Sequence, residues 1–174
     1  MVPLRFLDSG ETMLVVEFGS TIDAALNERV LALDAAMARA AIPGVLETTP
    51  TFRSLAVHYE PLAIDRADLV ARIVELEGEA EAAPRSSRRW TFPCCYAAPY
   101  GEDLVEVAGR LGMTPERLVE LHTGRPLRVH MYGFSPGFAY LGGLSPELAA
   151  SRRAHPRPPH PADAVMIAGG MSAI

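Results

Sequence analysis

Gly133-Phe-Ser-Pro-Gly-Phe-Ala-Tyr-Leu-Gly-Gly-Leu144 interleaves three aromatic rings and four glycines with a single proline at the end of a strand-like run. Glycine lets backbone approach closely or adopt positive φ, and proline fixes φ. With Pro136 and Gly137 shaping the chain, the rings of Phe134, Phe138 and Tyr140 have few places to go except a shared pocket or a core wall. The run that feeds it, Leu127 to Tyr132, alternates as a strand, and this alternation predicts His130 on the same side as Arg128 and Tyr132. An imidazole there can serve as acid, base or pocket donor, or as a hydrogen-bonded structural residue. Just beyond the aromatic segment stand Arg152, Arg153 and Arg157, whose planar donor forks match a carboxylate or phosphate. Ala164 to Ala168 reads as a last strand before Gly169-Gly170.

Upstream, Trp90 to Tyr96 reads as a strand by β propensity, with the adjacent Cys94 and Cys95 reduced and facing its two sides. Neighbouring cysteines form only a strained ring and do not imitate a CxxC pair. Two short helices follow. Asp103, Leu104, Val107, Ala108 and Leu111 mark one, with Asp103 as a helix N-terminal carboxylate. Thr114-Pro115-Glu116-Arg117 opens the next with a cap, a proline at the first helical position and an acidic first turn. His122 falls near the end of that helix, where an imidazolium would favour the dipole. His155 and His160 lie in a proline-rich loop without ligand spacing, so no metal is expected.

The first half predicts an α+β unit. Leu4 to Leu7 and Met13 to Phe18 are β-prone runs around the turn signal Asp8-Ser9-Gly10-Glu11. Ile22, Leu26, Val30, Leu33, Met37 and Ala40 then recur at helical spacing, with Ser20 or Thr21 as N-cap and Pro43-Gly44 as the stop. Val45 to Thr49 and Ser54 to Tyr59 repeat the strand pair, and Ile64 to Glu77, opened by Asp65, repeats the helix. The order ββαββα lays two helices on one face of an antiparallel sheet. Domain limits of 1–78 and 90–174 follow, joined by a solvated linker over 79–89, where periodicity gives way to charge, Ser and Pro.

With 174 residues the chain is long enough to bury a core, and 49% hydrophobic against 21% charged residues argues against disorder. A net charge of -5 without a basic stripe argues against a nucleic-acid surface. Neither a signal-peptide pattern nor a bilayer-length apolar run is present, so a cytoplasmic protein is expected.

The 133–144 run resembles the pattern GFxPGFxYLGGL of the family that holds the 5-oxoprolinase B subunit, KipI and allophanate hydrolase subunit 1 (carboxyltransferase domain, subdomains C and D). Phe52-Arg53-Ser54-Leu55, Val57-His58-Tyr59-Glu60-Pro61, Pro93-Cys94-Cys95-Tyr96 and Tyr100-Gly101-Glu102-Asp103-Leu104 extend the match over most of the chain. The resemblance implies a cyclophilin-like β-barrel for the second domain, incomplete at its C-terminus relative to the family. It also implies one component of an ATP-dependent 5-oxoprolinase that hydrolyses 5-oxoproline to L-glutamate with a homologous, KipA-like C component and a LamB/YcsF-like A component. ATP with Mg would act at the level of the complex, since this chain lacks a glycine-rich phosphate loop.

The site expected on that basis comprises Phe134, Pro136, Gly137, Phe138, Tyr140, Arg153, Arg157 and His130, binding a small carboxylated ring, with no catalytic residue assigned. Alternatives are a KipI-like inhibitor of a sensor histidine kinase and a protein of the allophanate hydrolase or urea carboxylase type. Two departures from the pattern stand out: Asp163-Ala164 where the family has Gly-Ser, and Met171-Ser172-Ala173 where it has Gln-Thr-Gly.

Overall fold

The computed structural model describes residues 3–80, 88–155 and 162–174. The chain divides into two compact units, one within residues 1–87 and one within 88–174.

In the first unit, β1 (Arg5–Asp8), β2 (Met13–Glu17), β3 (Val45–Pro50) and β4 (Ser54–Tyr59) form one antiparallel sheet in the order β1-β2-β4-β3. Period-2 alternation buries Leu14 and Val16 on β2 and Leu55, Val57 and Tyr59 on β4, all on one face. Helices α1 (Ala24–Ala40) and α2 (Arg66–Glu79) bury Val30, Leu33, Met37, Leu69, Ile73 and Leu76 against that face. Burial of a full Leu or Ile side chain contributes about 1.5–3 kcal/mol, so this layer dominates the unit's stability.

The start of α1 differs from expectation. Asp23, not Ser20 or Thr21, is the cap: its carboxylate accepts the Ala25 and Leu26 N–H groups at 2.8 and 3.1 Å, and Ile22 stays outside the helix, exposed. An ionised carboxylate meeting two orphan N–H groups at the positive helix end outcompetes the earlier hydroxyls. Asp65 caps α2 in the same way, and α2 runs through Gly78 to Glu79. Of the linker expected over 79–89, residues 81–87 lie outside the described residues. Asn27, on the buried face of α1, is 1% exposed, and its side-chain amide donates to the Thr51 carbonyl at 2.9 Å.

The second unit pairs helices α3 (Leu104–Arg110) and α4 (Pro115–Thr123) with a second antiparallel sheet of β5 (Arg128–Tyr132), β6 (Ala139–Gly142), β7 (Met166–Ala168) and β8 (Met171–Ala173), ordered β5-β6-β8-β7. Thr114 caps α4 as expected, accepting the Arg117 N–H. The core gathers Ala108, Leu118, Leu144 and Leu148, with Leu104, Val107, Leu127 and Ile167 packed around them. The sheet is open, with β5 and β7 as edges, and no closed barrel is present among the described residues.

Trp90 to Tyr96 is not a strand: no sheet neighbour meets it among the described residues, and β propensity without a partner ladder makes no strand. Cys94 and Cys95 are both free thiols and both exposed there. Conversely, β6 and β8 lie where the sequence suggested loop and terminus. Gly169-Gly170 is the two-residue connection of the β7–β8 hairpin, with Ala168 opposite Met171. Among the described residues, no helix is long and apolar enough to cross a membrane.

Candidate functional site

The 133–144 run supplies the loop and the second strand, β6, of the β5–β6 hairpin. Its loop is closed by the Gly133 N–H donating to the Phe138 carbonyl at 3.2 Å, and the Phe138 N–H donates to the Ser135 carbonyl at 3.1 Å. Pro136 and Gly137 occupy the two central positions of that turn, with φ of 82° at Gly137, the type II arrangement for which proline followed by glycine is suited. Phe134 also takes a left-handed φ of 66°, a conformation that costs an L-residue about 1–2 kcal/mol, and its ring is 86% exposed. Phe134, Phe138 and Tyr140 stack edge to face in a ladder, with centroids 5.4 and 5.0 Å apart. Tyr132, opposite Ala139 and so on the other side of the sheet from Tyr140, is also exposed.

The remaining predicted site residues do not all join the ladder. Arg153 donates to the Asp103 carboxylate at 2.8 Å and lies 3.4 Å from Glu106 Oε2, so its fork is held at the start of α3. Asp103 itself makes no side-chain cap bond to α3. Arg157 and His160 lie outside the described residues.

His130 sits at a bulge, where the β5–β6 register shifts between Val129 and Met131. The bulge breaks the expected alternation. Arg128 pairs with Gly142 and Tyr132 with Ala139, positions of opposite parity on β6, so Arg128 and Tyr132 face opposite sides of the sheet. Burial, and secondarily the Arg128 charge, push the His130 imidazole below its ordinary range.

A second constellation, which the sequence did not signal, lies on the other face. Tyr140 pairs with Ala173 and Leu141 with Ser172, which puts Ser172 opposite in facing to Tyr140. Ser172 is 1% exposed, and its hydroxyl donates to the Met166 carbonyl at 3.0 Å. His122 Nε2 lies 3.3 Å from the Ser172 oxygen, and His122 Nδ1 lies 2.5 Å from the Tyr96 hydroxyl.

One order satisfies His122, Ser172 and Met166 together, with the Cys94 side chain as a further hydrogen-bond neighbour of the Tyr96 phenol. Ser172 spends its proton on Met166 and accepts from Nε2–H, leaving Nδ1 bare to accept the Tyr96 O–H. Burial pushes the His122 imidazole down, which favours the neutral ring that this pattern needs and corrects the expected imidazolium at the helix end. Burial, with the neighbouring Cys94, pushes the Tyr96 phenol up and keeps it protonated. The three side chains come from a loop, the last turn of α4 and β8, far apart in sequence, so no local motif could announce them.

Gly169-Gly170 closes a hairpin and Gly142 ends β6, so neither glycine pair fits a phosphate cradle. No group of three or more His, Cys, Asp or Glu among the described residues is placed to hold a metal ion. In the first unit, a groove of about 290 Å³ between the end of α1 and β3 is lined mainly by Met37, Ala41, Ile42 and Leu46 and carries little chemistry.

The model of the family described as "Carboxyltransferase domain, subdomain C and D" matches residues 4–174. The chain belongs to this family. It is 34% identical to the 5-oxoprolinase B subunit of Bacillus subtilis (strain 168), over 92% of this chain and 71% of that one. It is likewise 34% identical to the 5-oxoprolinase B subunit of Escherichia coli O157:H7, over 95% and 75%. Among solved structures, TTHA0988 aligns at 35% identity with a TM-score of 0.76, covering 93% of this chain but 32% of that one, so the chain spans about a third of that protein. The Kluyveromyces lactis urea carboxylase shares the fold at 14% identity and a TM-score of 0.63, over 80% of this chain and 14% of that one.

Proposed function

We propose that this chain is the B subunit of an ATP-dependent 5-oxoprolinase, acting with a KipA-like C component and a LamB/YcsF-like A component to hydrolyse 5-oxoproline to L-glutamate. The observation that carries the reading is the 34% identity to a named 5-oxoprolinase B subunit across 92% of the chain. ATP and its Mg are assigned to the complex, because the glycine pairs of this chain serve a hairpin and a strand end.

Within that complex, the Phe134–Phe138–Tyr140 ladder is the surface that a partner protein covers. An exposed ring held in a left-handed backbone is stabilised when a partner seals it, and the open sheet offers edges that further strands can close into a cyclophilin-like barrel. Arg153 meets a substrate carboxylate only by exchanging Asp103 for it. The same exposed Phe134 ring at the end of the ladder favours the inhibitor reading as the second choice, since a protein-docking surface suits a sensor histidine kinase as well.

The test is a coupled assay of ATP consumption and glutamate release with all three components, each omitted in turn, beside a Phe134→Ala chain. Turnover that requires this chain, and co-purification weakened by Phe134→Ala, is the expected result. Turnover by the other two components alone, or capture of a histidine kinase without them, refutes it.

A further inference from the structure

We propose that Tyr96, His122 and Ser172 form a proton relay that opens at the Tyr96 phenolic oxygen and serves the hydrolytic step. The inference rests on the 5-oxoprolinase reading for its substrate and on the geometry of the second unit for everything else.

The relay has a direction. Its inner end is pinned, because the Ser172 hydroxyl has its one proton on the Met166 carbonyl and can only accept from His122. Its outer end is a phenol, which donates inward to His122 Nδ1 at 2.5 Å and has the exposed Cys94 side chain as a further neighbour. The two rings meet edge to face, with centroids 5.9 Å apart and planes at 82°. Tyr96 is half-buried on a segment whose neighbours Cys94, Cys95 and Ala97 are exposed, and the outer end of the relay is assigned to its phenol.

The proton count closes. As a water oxygen bonds to the carbonyl carbon of the cyclic amide, its proton passes to the Tyr96 oxygen while the phenolic proton moves to His122 Nδ1. The imidazolium so formed keeps its Nε2–H on Ser172. When the carbon–nitrogen bond breaks, Nδ1 returns its proton to Tyr96 and the phenol delivers one to the leaving nitrogen, so water has been divided between carbon and nitrogen and the relay is restored. A neutral imidazole is the required resting form, and burial favours it.

The structural alternative is that the three groups only fasten the 88–103 segment to α4 and β8; the tautomer checks the proton order, and the kinetics separate the two roles. Nitrogen NMR of the isolated chain reads the tautomer: Nε2–H is expected, and a ring protonated at Nδ1 overturns the relay. In the three-component complex, Tyr96→Phe and His122→Asn are each expected to lower kcat on the order of 100-fold with KM within about twofold, measured below the melting transition of each variant. Parent-level kcat in both variants overturns the relay. A parent complex inactive on 5-oxoproline, with the tautomer as stated, instead overturns the substrate assignment and upholds the proton order, so the two failures are distinguishable.

Discussion

Replacing Ser172 with alanine removes a hydroxyl that is 1% exposed and holds two partners, the Met166 carbonyl at 3.0 Å and His122 Nε2 at 3.3 Å. The alanine fits the space, so the cost is that of leaving buried polar groups unmatched, about 1–3 kcal/mol in general. His122 is only half-buried, and water can reach part of its ring, which puts the expectation in the lower half, about 1–2 kcal/mol. In a unit of this size each kcal/mol moves the midpoint by about 4–8 °C, so calorimetry is expected to show the transition of the second unit lowered by roughly 4–16 °C. The transition of the first unit is expected to stay in place. A cycle with His122→Asn adds a coupling energy of at least about 0.5 kcal/mol, because the two side chains share one bond. A Ser172→Ala midpoint within about 2 °C of the parent, with no coupling to His122, would refute the Ser172–His122 hydrogen bond on which the relay depends.

Acid is expected to weaken the second unit. His122 and His130 are both held below the ordinary imidazole pKa of about 6.5, so the unfolded chain takes up protons first as pH falls; stability is full above about 6.5 and declines from there toward the folded values. Urea midpoints at pH 7.5 and 5.5 check the sign, and His122→Asn is expected to flatten the slope. Asp163 holds a left-handed φ of 62°, so glycine there is expected to be more stabilising than alanine by about 1 kcal/mol; the opposite ranking in thermal melts counts against the assigned backbone. Gly101→Ala would drive a Cβ into the Tyr96 carbonyl oxygen, and is expected to cost about 1–3 kcal/mol and to break the Tyr96–His122 contact, visible as a shifted His122 ring resonance.

What the sequence discloses and what it hides follow from the range of the forces involved. Asp65 and Thr114 announce their helices because a cap acts within three residues of itself, and the stripes of α1 and α2 are equally local. The strands β6 and β8 escape because their evidence is a partner elsewhere in the chain, and β8 has only three residues. Trp90 to Tyr96 shows the converse, propensity without a neighbour. A single extra residue at the His130 bulge undoes the face assignment of Arg128 and Tyr132, which no alternation rule foresees.

For the site, the aromatic ladder is legible from Pro136-Gly137 and the ring spacing, whereas Arg153 looks available in sequence and is held by Asp103 in space. Asp163, where the resemblance led one to expect a glycine, keeps a left-handed φ of 62°, a conformation that a glycine adopts without strain.

Asn27 has one more consequence, for anyone redesigning the first unit. Its amide is keyed to the Thr51 carbonyl inside an otherwise greasy layer, so sliding or rotating α1 by one turn would strand that carbonyl. The surrounding leucines and valines pack without directional bonds, whereas this one polar tooth indexes the helix to a single notch. A leucine there would tighten the layer and leave α1 free to settle in more than one position.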